Sequence, residues 1–377
     1  MTNQQTRAMR ATRRPASRPA TVAHLIPYDG IGGVEVAARS LVAGDHPGPG
    51  GGLRVVKLFV SRRGGGAADG LHVWTGPRDS EWAPGNYLSA VAELRRRCPD
   101  LVIVSLWRSC IVALLAKLSM PRLRLVAFLH LNETVHLPDR LLNRLVMELA
   151  TEIWADSDST LAARLPARLR RKGRVISFLT ERLERAMQGP AAPRFIFWGR
   201  LHPQKGLGRA LDIFAAVAAT RPEARFTVIG PDMGSAAALR AQACALGVAD
   251  RVAFTGPMDR AAIFARAADH AFYLQPSLTE GMAMSVVEAM QLGLIPVVAP
   301  VGEIPRYCRD GKNALVVTPQ MPAGQVAARI TALLDASDRA ERMAQAARET
   351  WAARPLYCDD VLAACRALLG RGGKPRR

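Results

Sequence analysis

The chain predicts two doubly wound, Rossmann-like α/β domains in tandem, and three observations carry that reading. Short apolar runs alternate with helix-period segments along almost the whole length, the pattern of βαβ units around a parallel sheet. The apolar runs are continuous, as from Asp100 to Leu106, so each strand expects cover on both faces. The alternation breaks at a basic, Pro-containing stretch from Leu165 to Pro193 and then resumes. At 377 residues there is room for two full cores.

In order along the chain, residues 1–20 are an Arg-rich tail, low in apolar content and expected to be disordered. No signal-peptide apolar region precedes Val22, and no run approaches the roughly 20 apolar residues that span a bilayer. Val22 to Pro27 reads as a strand, Val34 to Leu41 as a helix and Val55 to Val60 as a second strand. The loop between them, Asp29-Gly30-Ile31-Gly32-Gly33, sits where a dinucleotide fingerprint would. That reading fails, because Glu35 stands at the third glycine position and strand two ends in Ser61-Arg62-Arg63 without an acidic ribose ligand. Helices over Leu88–Arg97, Ile111–Leu118 and Asp139–Leu149 alternate with strands at Asp100–Leu106, Leu123–Leu129 and Glu152–Ala155. Asp156-Ser157-Asp158 has a metal-binding spacing, but it precedes a helix and is expected to cap it.

The expected organisation is an N-terminal domain over 21–180, a C-terminal domain over 181–345, a helix over 346–370 packing back on the first domain, and a basic tail over 371–377. The second alternation runs from strand Arg194–Trp198 through helix Gly208–Ala219, strand Arg225–Ile229, helix Ala236–Leu246 and strand Val252–Thr255. Helix Arg260–Ala267, strand Ala271–Leu274, a helix from Ala283 to Gly293, strands at Ile295–Ala299 and Ala314–Val317, and helix Pro322–Leu334 complete it.

The net charge of +19 favours anionic partners: phosphate-bearing substrates or an anionic membrane surface. Nucleic acid is not expected, since aromatics do not interleave with the basic run Arg164 to Arg174. Six cysteines without CxxC spacing point to thiols in a reducing, cytoplasmic compartment and to no metal site. The basic run and the amphipathic Leu137–Leu149 make peripheral attachment to the inner face of the plasma membrane an open alternative to a merely solvated basic face.

The chemistry concentrates at Gln275-Pro276-Ser277-Leu278-Thr279-Glu280-Gly281-Met282-Ala283-Met284-Ser285, continuing to Glu288. A loop between a strand end and a helix N-terminus offers unpaired N–H groups and a positive dipole end, which suit phosphate. An acidic residue beside a phosphate site serves sugar hydroxyls. An isolated pair of glutamates would be read as solvated; the surrounding motifs decide otherwise.

Those motifs are Gly199-Arg200-Leu201-His202-Pro203-Gln204-Lys205-Gly206, Val228-Ile229-Gly230-Pro231, Val252-Ala253-Phe254-Thr255-Gly256-Pro257, and Glu280 to Glu288 followed by Gly293 to Ala299 and Asp310 to Asn313. In this order and spacing the chain resembles the family-four retaining glycosyltransferases of the GT-B fold (glycosyl transferases group 1), whose two domains face each other across a cleft. The resemblance implies that Arg200 and Lys205 stabilise a leaving diphosphate, that Glu280 holds donor-sugar hydroxyls near the reacting carbon, and that His130 is catalytic. It implies Glu288 as ribose ligand, with donor contacts from Gly32, Gly33, Gly199, Gly230, Met258, Gly281, Met282, Ala283, Met284 and Ser285. A structural His130, bonded to a loop carbonyl, remains the alternative; His24, His136, His202 and His270 are taken as structural.

Three departures bear on sugar and acceptor. The family's Gly-Phe-Gly is Gly281-Met282-Ala283 here, its Gly-Gly…Glu pattern is Gly302-Glu303-Ile304-Pro305-Arg306, and its interdomain Asn-Gly is Ser177-Phe178-Leu179. The expected function is a retaining, metal-independent hexosyltransferase without cofactor, moving a sugar from a nucleoside-diphosphate donor to a saccharide or lipid-linked acceptor hydroxyl. Bacterial polysaccharide, lipopolysaccharide or glycolipid synthesis is the expected setting. A same-fold epimerase or phosphorylase, or a non-catalytic nucleotide-sugar-binding subunit, are the alternatives.

Overall fold

The computed structural model describes residues 18–30, 33–48, 52–63, 70–130, 136–184 and 192–370. Residues 1–17 and 371–377 of the expected tails, and Gly32, lie outside them, while Ala20, expected in the tail, already belongs to the first strand. Two sheets form. The first contains β1 (Ala20–Ile26), β2 (Gly44–His46), β3 (Leu53–Phe59), β4 (Val73–Thr75), β5 (Leu101–Ser105), β6 (Leu125–Leu129), β7 (Glu152–Ala155) and β8 (Gly173–Val175). Its order is β2-β3-β1-β5-β6-β7-β8, with β4 beside β3. β1 pairs in parallel with both β3 and β5, and β5 with β6, while the short β2 runs antiparallel to β3. Every residue of β5 and β6 is buried, as continuous apolar strands covered on both faces require.

The second sheet contains β9 (Arg194–Trp198), β10 (Arg225–Ile229), β11 (Val252–Gly256), β12 (Phe272–Gln275), β13 (Ile295–Val298) and β14 (Leu315–Val316). It is parallel throughout, in the order β11-β10-β9-β12-β13-β14. The order reverses at β9, so the crevice outside the carboxyl ends of β9 and β12 is the topological switch point. Phe195, Phe197, Phe214, Phe226 and Phe272 are fully buried in its core. Each contributes about 1.5–3 kcal/mol of burial, which holds the loops at the switch point on a rigid base.

The described residues group into two compact units, drawn from Met1–Leu129, Thr134–Trp154 and Cys358–Arg377, and from His130–Glu133 and Ala155–Tyr357. The division falls at Ala155, earlier than the 180/181 boundary the composition change points to. The reason is bonding: Ser159 N donates to Glu303 Oε2 (2.8 Å), Ser177 Oγ to the Pro355 carbonyl (2.7 Å), and Arg182 Nη1 to the Trp351 carbonyl (2.7 Å).

The expected helix 346–370 is instead two helices, Ser337–Ala352 and Tyr357–Gly370. Pro355 lies between them and cannot continue a helix. The second of these lies with the first unit, where Arg124 Nη1 donates to the Leu368 carbonyl (3.1 Å). The basic run is not one helix either: helix Asp158–Arg164 stops before Pro166, a 3-10 turn spans Ala167–Lys172, and β8 follows. Ser157 caps the first of these, accepting from Thr160 N, as the capping reading of Asp156-Ser157-Asp158 requires.

Candidate active site

Two loops meet at the switch point of the second sheet. The loop after β9 runs Gly199 to Gly206, and the loop after β12 runs Pro276 to Ala283. Leu278 N donates to the Gln204 carbonyl (2.8 Å), and Gln204 Nε2 donates to the Thr279 carbonyl (2.9 Å). Gly206 permits this contact: it has φ +67°, and a Cβ there would lie 2.0 Å from the Pro276 carbonyl oxygen. Gly230, after β10, makes the neighbouring approach, since a Cβ on it would lie 1.8 Å from the Gly199 carbonyl oxygen. Gly230 is thus required by close backbone packing at the floor of the crevice, and Gly199 by its own backbone conformation, φ +150°.

Across the switch point Lys205 Nζ lies 2.7 Å from Glu280 Oε1, with both side chains largely withdrawn from solvent, 13% and 6% exposed. The same carboxylate oxygen accepts from Ser277 Oγ (2.7 Å) and Gln275 Nε2 (2.9 Å). Gln275 turns its amide oxygen to Ser285 Oγ (2.9 Å), in the first turn of helix Met284–Leu292, and to Tyr273 OH (2.7 Å). One buried amide therefore ties Glu280 to the helix N-terminus. That helix starts with no side-chain cap, which leaves its first N–H groups and dipole end available to an anion. Arg200 is exposed; its carbonyl accepts from His202 N (2.9 Å), and its side chain makes no ion pair with another described residue.

Glu288 is buried at the other end of the network. Trp198 Nε1 donates to its Oε2 (2.8 Å), and Arg260 Nη1 lies 2.8 Å from its Oε1. Burial pushes the Glu288 carboxyl above its ordinary range, with Arg260 and Trp198 working against that rise. Met258 and Met282 are partly buried against the core of the second sheet.

Ala283 precedes the helix with φ +54° and ψ +62°, a left-handed conformation that glycine adopts freely and alanine only at a cost. The helix expected from Ala283 thus begins one residue later. Gly281 is held from behind by Gly302, where a Cβ would lie 2.2 Å from the Glu280 carbonyl oxygen and 2.6 Å from that of Gly281. Glu303 N donates to the Gly281 carbonyl (3.0 Å).

His130 follows the end of β6 and is buried; its carbonyl oxygen faces Gly281, 3.6 Å from where a Cβ would be. Its ring lies 5.7 Å from that of Phe178. Burial pushes its pKa down to about 3, so the ring is neutral at physiological pH and is a weak proton acceptor rather than a general acid. Gly33 begins helix Gly33–Ser40 in the first unit. His136 and His202 accept from the backbone N–H of Asp139 and Gln204, and His24 and His270 bond Ser105 and Thr227, all structural roles.

Arg200, Lys205, Glu280, Gly199, Gly230, Gly281 and the helix start are thus gathered on the carboxyl edge of one sheet, whereas Gly33 lies in the first unit. Tyr273, Gln275, Ser277, Trp198 and Arg260 belong to the same network and were given no site role from sequence. Gln275 carried a signal, a polar residue closing an otherwise apolar strand; Trp198 and Arg260 carried none.

The parallel sheets and their switch-point loops define a fold found in solved glycosyltransferase structures. HepE of Anabaena in complex with UDP-glucose superposes with a TM-score of 0.72 at 18% identity, covering 93% of this chain and 99% of that one. Sucrose-phosphate synthase of Thermosynechococcus elongatus superposes with a TM-score of 0.69 at 18% identity, covering 93% and 98%. The fold is the two-domain GT-B fold. Residues 187–350 match the family model described as glycosyl transferases group 1. Curated relatives include a D-inositol 3-phosphate glycosyltransferase of Acidothermus cellulolyticus, 38% identical over 39% of this chain and 34% of that protein. A second, from Catenulispora acidiphila, is 34% identical over 46% of this chain and 43% of that protein. The chain thus spans well under half the length of the curated relatives it matches.

Proposed function

We propose that the protein is a retaining glycosyltransferase that moves a sugar from a nucleoside-diphosphate donor to an acceptor hydroxyl without a metal or cofactor. The observation that carries the reading is the Lys205–Glu280 pair across the switch point, beside an uncapped helix N-terminus. In this reading the helix N–H groups, Lys205 and the exposed Arg200 receive the donor diphosphate. Negative charge grows there as the glycosidic bond breaks, and fixed cations stabilise it without reorganising. Glu280, oriented by Gln275 and Ser277, receives sugar hydroxyls in this reading. Glu288 takes the ribose, and the neutral His130 is a hydrogen-bonding partner for the sugar.

The HepE complexes place UDP first among donors to test, and the curated relatives' name adds a phosphorylated inositol to saccharide and lipid-linked acceptors. We assign the product to bacterial cell-surface polysaccharide, lipopolysaccharide or glycolipid synthesis, at the cytoplasmic face of the membrane. A stripe of exposed leucines on helix Leu137–Leu149 supports that location.

A thermal-shift series with UDP, GDP, ADP and CMP, followed by turnover with the matching nucleotide sugar in excess EDTA, tests the reading. One nucleotide should stabilise the protein, and the product should keep the donor's anomeric configuration. Lys205→Ala and Arg200→Ala should each lower turnover about a hundredfold, the cost of one preorganised charge contact. Near-normal turnover in both variants overturns the diphosphate assignment. Nucleotide binding without product identifies a binding subunit, and product that depends on free phosphate identifies a phosphorylase.

A further inference from the structure

Glu288 is not an open carboxylate. Trp198 Nε1 occupies Oε2 from the core side (2.8 Å), and the Trp198 ring is itself fixed edgewise against Tyr273, with centroids 4.5 Å apart. Arg260 Nη1 occupies Oε1 from the solvent side at 2.8 Å. Arg260 is the first residue of helix Arg260–Ala267, whose start Asp259 caps by accepting from Ala262 N (2.8 Å). The guanidinium lies 5.0 Å from the Phe264 ring, and its Nε donates to Glu181 Oε1 (2.8 Å). A helix start, an aromatic face and a second carboxylate thus place one guanidinium on Glu288.

We infer that Arg260 is a positioning residue for the donor: it holds Glu288 as an ionised, oriented carboxylate whose remaining lone pairs receive the ribose hydroxyls. The inference rests on Glu288 being the ribose ligand. Each carboxylate oxygen has about two lone-pair sites, so Trp198 and Arg260 leave one on each, which matches a vicinal diol. An unpaired carboxylate in this buried place would be driven toward its neutral acid, a weaker acceptor that could also present a proton to the wrong partner. Glu181 raises the Glu288 carboxyl, Arg260 and Trp198 lower it, and Tyr273 lies on the β12 side. Arg260 is the one cation among these groups.

Arg260 is 36% exposed, so solvent screening limits what the pair adds to stability. The test therefore reads a pH profile instead of stability. UDP affinity is measured by calorimetry between pH 5.5 and 8.5 for the parent and for Arg260→Gln, Arg260→Lys and Glu288→Gln; the nucleotide's own titration is common to all four. Without Arg260 the Glu288 carboxyl rises further, so Arg260→Gln should bind UDP about tenfold more weakly at neutral pH, one pKa unit's worth. Its loss of affinity on acidification should begin at higher pH than in the parent, and Arg260→Lys should restore most of both. Glu288→Gln should bind weakly with no such protein-dependent pH step. If Glu288→Gln is weak while Arg260→Gln keeps the parental affinity and profile, the role of Arg260 is overturned and the ribose reading stands. If Glu288→Gln binds like the parent, the ribose reading itself falls.

Discussion

At the scale of single residues, Ala283 carries stored strain in the site. A non-glycine residue in the left-handed region costs roughly 1–2 kcal/mol, and here it sits buried at the start of helix Met284–Leu292. Ala283→Gly should therefore leave stability unchanged or raise it by up to about 1 kcal/mol, after glycine's extra chain entropy is subtracted. In the proposed reading the methyl group narrows the approach of the backbone to the sugar, so the same variant should accept a wider set of donor sugars. A chemical-denaturation curve and a donor panel check both, and a loss of more than 1 kcal/mol would show that the methyl group packs favourably. His130 makes a second prediction at this scale. Its folded pKa of about 3 lies below the 6.5 of an unfolded histidine. The unfolded chain thus binds a proton that the folded chain refuses, and the His130 contribution to stability is lost as pH falls from about 6.5 toward 3. Asp156, raised to about 6 by burial, acts in the opposite direction between about 4 and 6. His130→Gln should flatten the acid limb of the stability–pH curve relative to the parent, and parallel curves would remove the assignment.

At the scale of elements, helix Leu137–Leu149 shows how an amphipathic pattern is used twice. Asp139, Asn143, Val146 and Met147 are buried against the fold, with Asn143 Nδ2 donating to Asp139 Oδ1 (2.6 Å). Leu137, Leu141, Leu145 and Leu149 lie 65%, 52%, 52% and 45% exposed at successive four-residue steps, with Arg140 and Arg144 also exposed on the helix. Four-residue steps drift by only about 40° each, so the leucines form one stripe, the form of a helix lying in a membrane interface. Leu141→Ser with Leu145→Ser should reduce sedimentation with anionic liposomes by several-fold while leaving the melting temperature and turnover on a soluble acceptor unchanged. Binding that is equal in the parent and the double variant, or insensitive to salt in the parent, removes this surface from the membrane reading. The elements that escaped the sequence were those too short for a period, β2 and β4, and those broken by proline, the basic run at Pro166 and the terminal helix at Pro355. Three-residue strands have no periodicity to detect, and a charge run has none that outlasts a proline.

At the scale of the whole molecule, no helix among the described residues is long and apolar enough to cross a membrane. The alternation of apolar runs and helix-period segments was enough to specify two doubly wound sheets, because burial on both faces of a parallel strand leaves a local, readable pattern. The loop motifs likewise announced Arg200, Lys205, Glu280 and Glu288. Which partner each charge meets was decided by the fold. Lys205 meets Glu280 across 75 residues of chain, and Trp198 meets Glu288 across 90. The guanidinium on Glu288 comes from Arg260, on a helix whose sequence marks no ligand. Periodicity is a property of neighbours along the chain. Ion pairing, burial of His130 and the left-handed turn at Ala283 depend on which strand ends the sheet order brings together, and that order exists only in the folded structure.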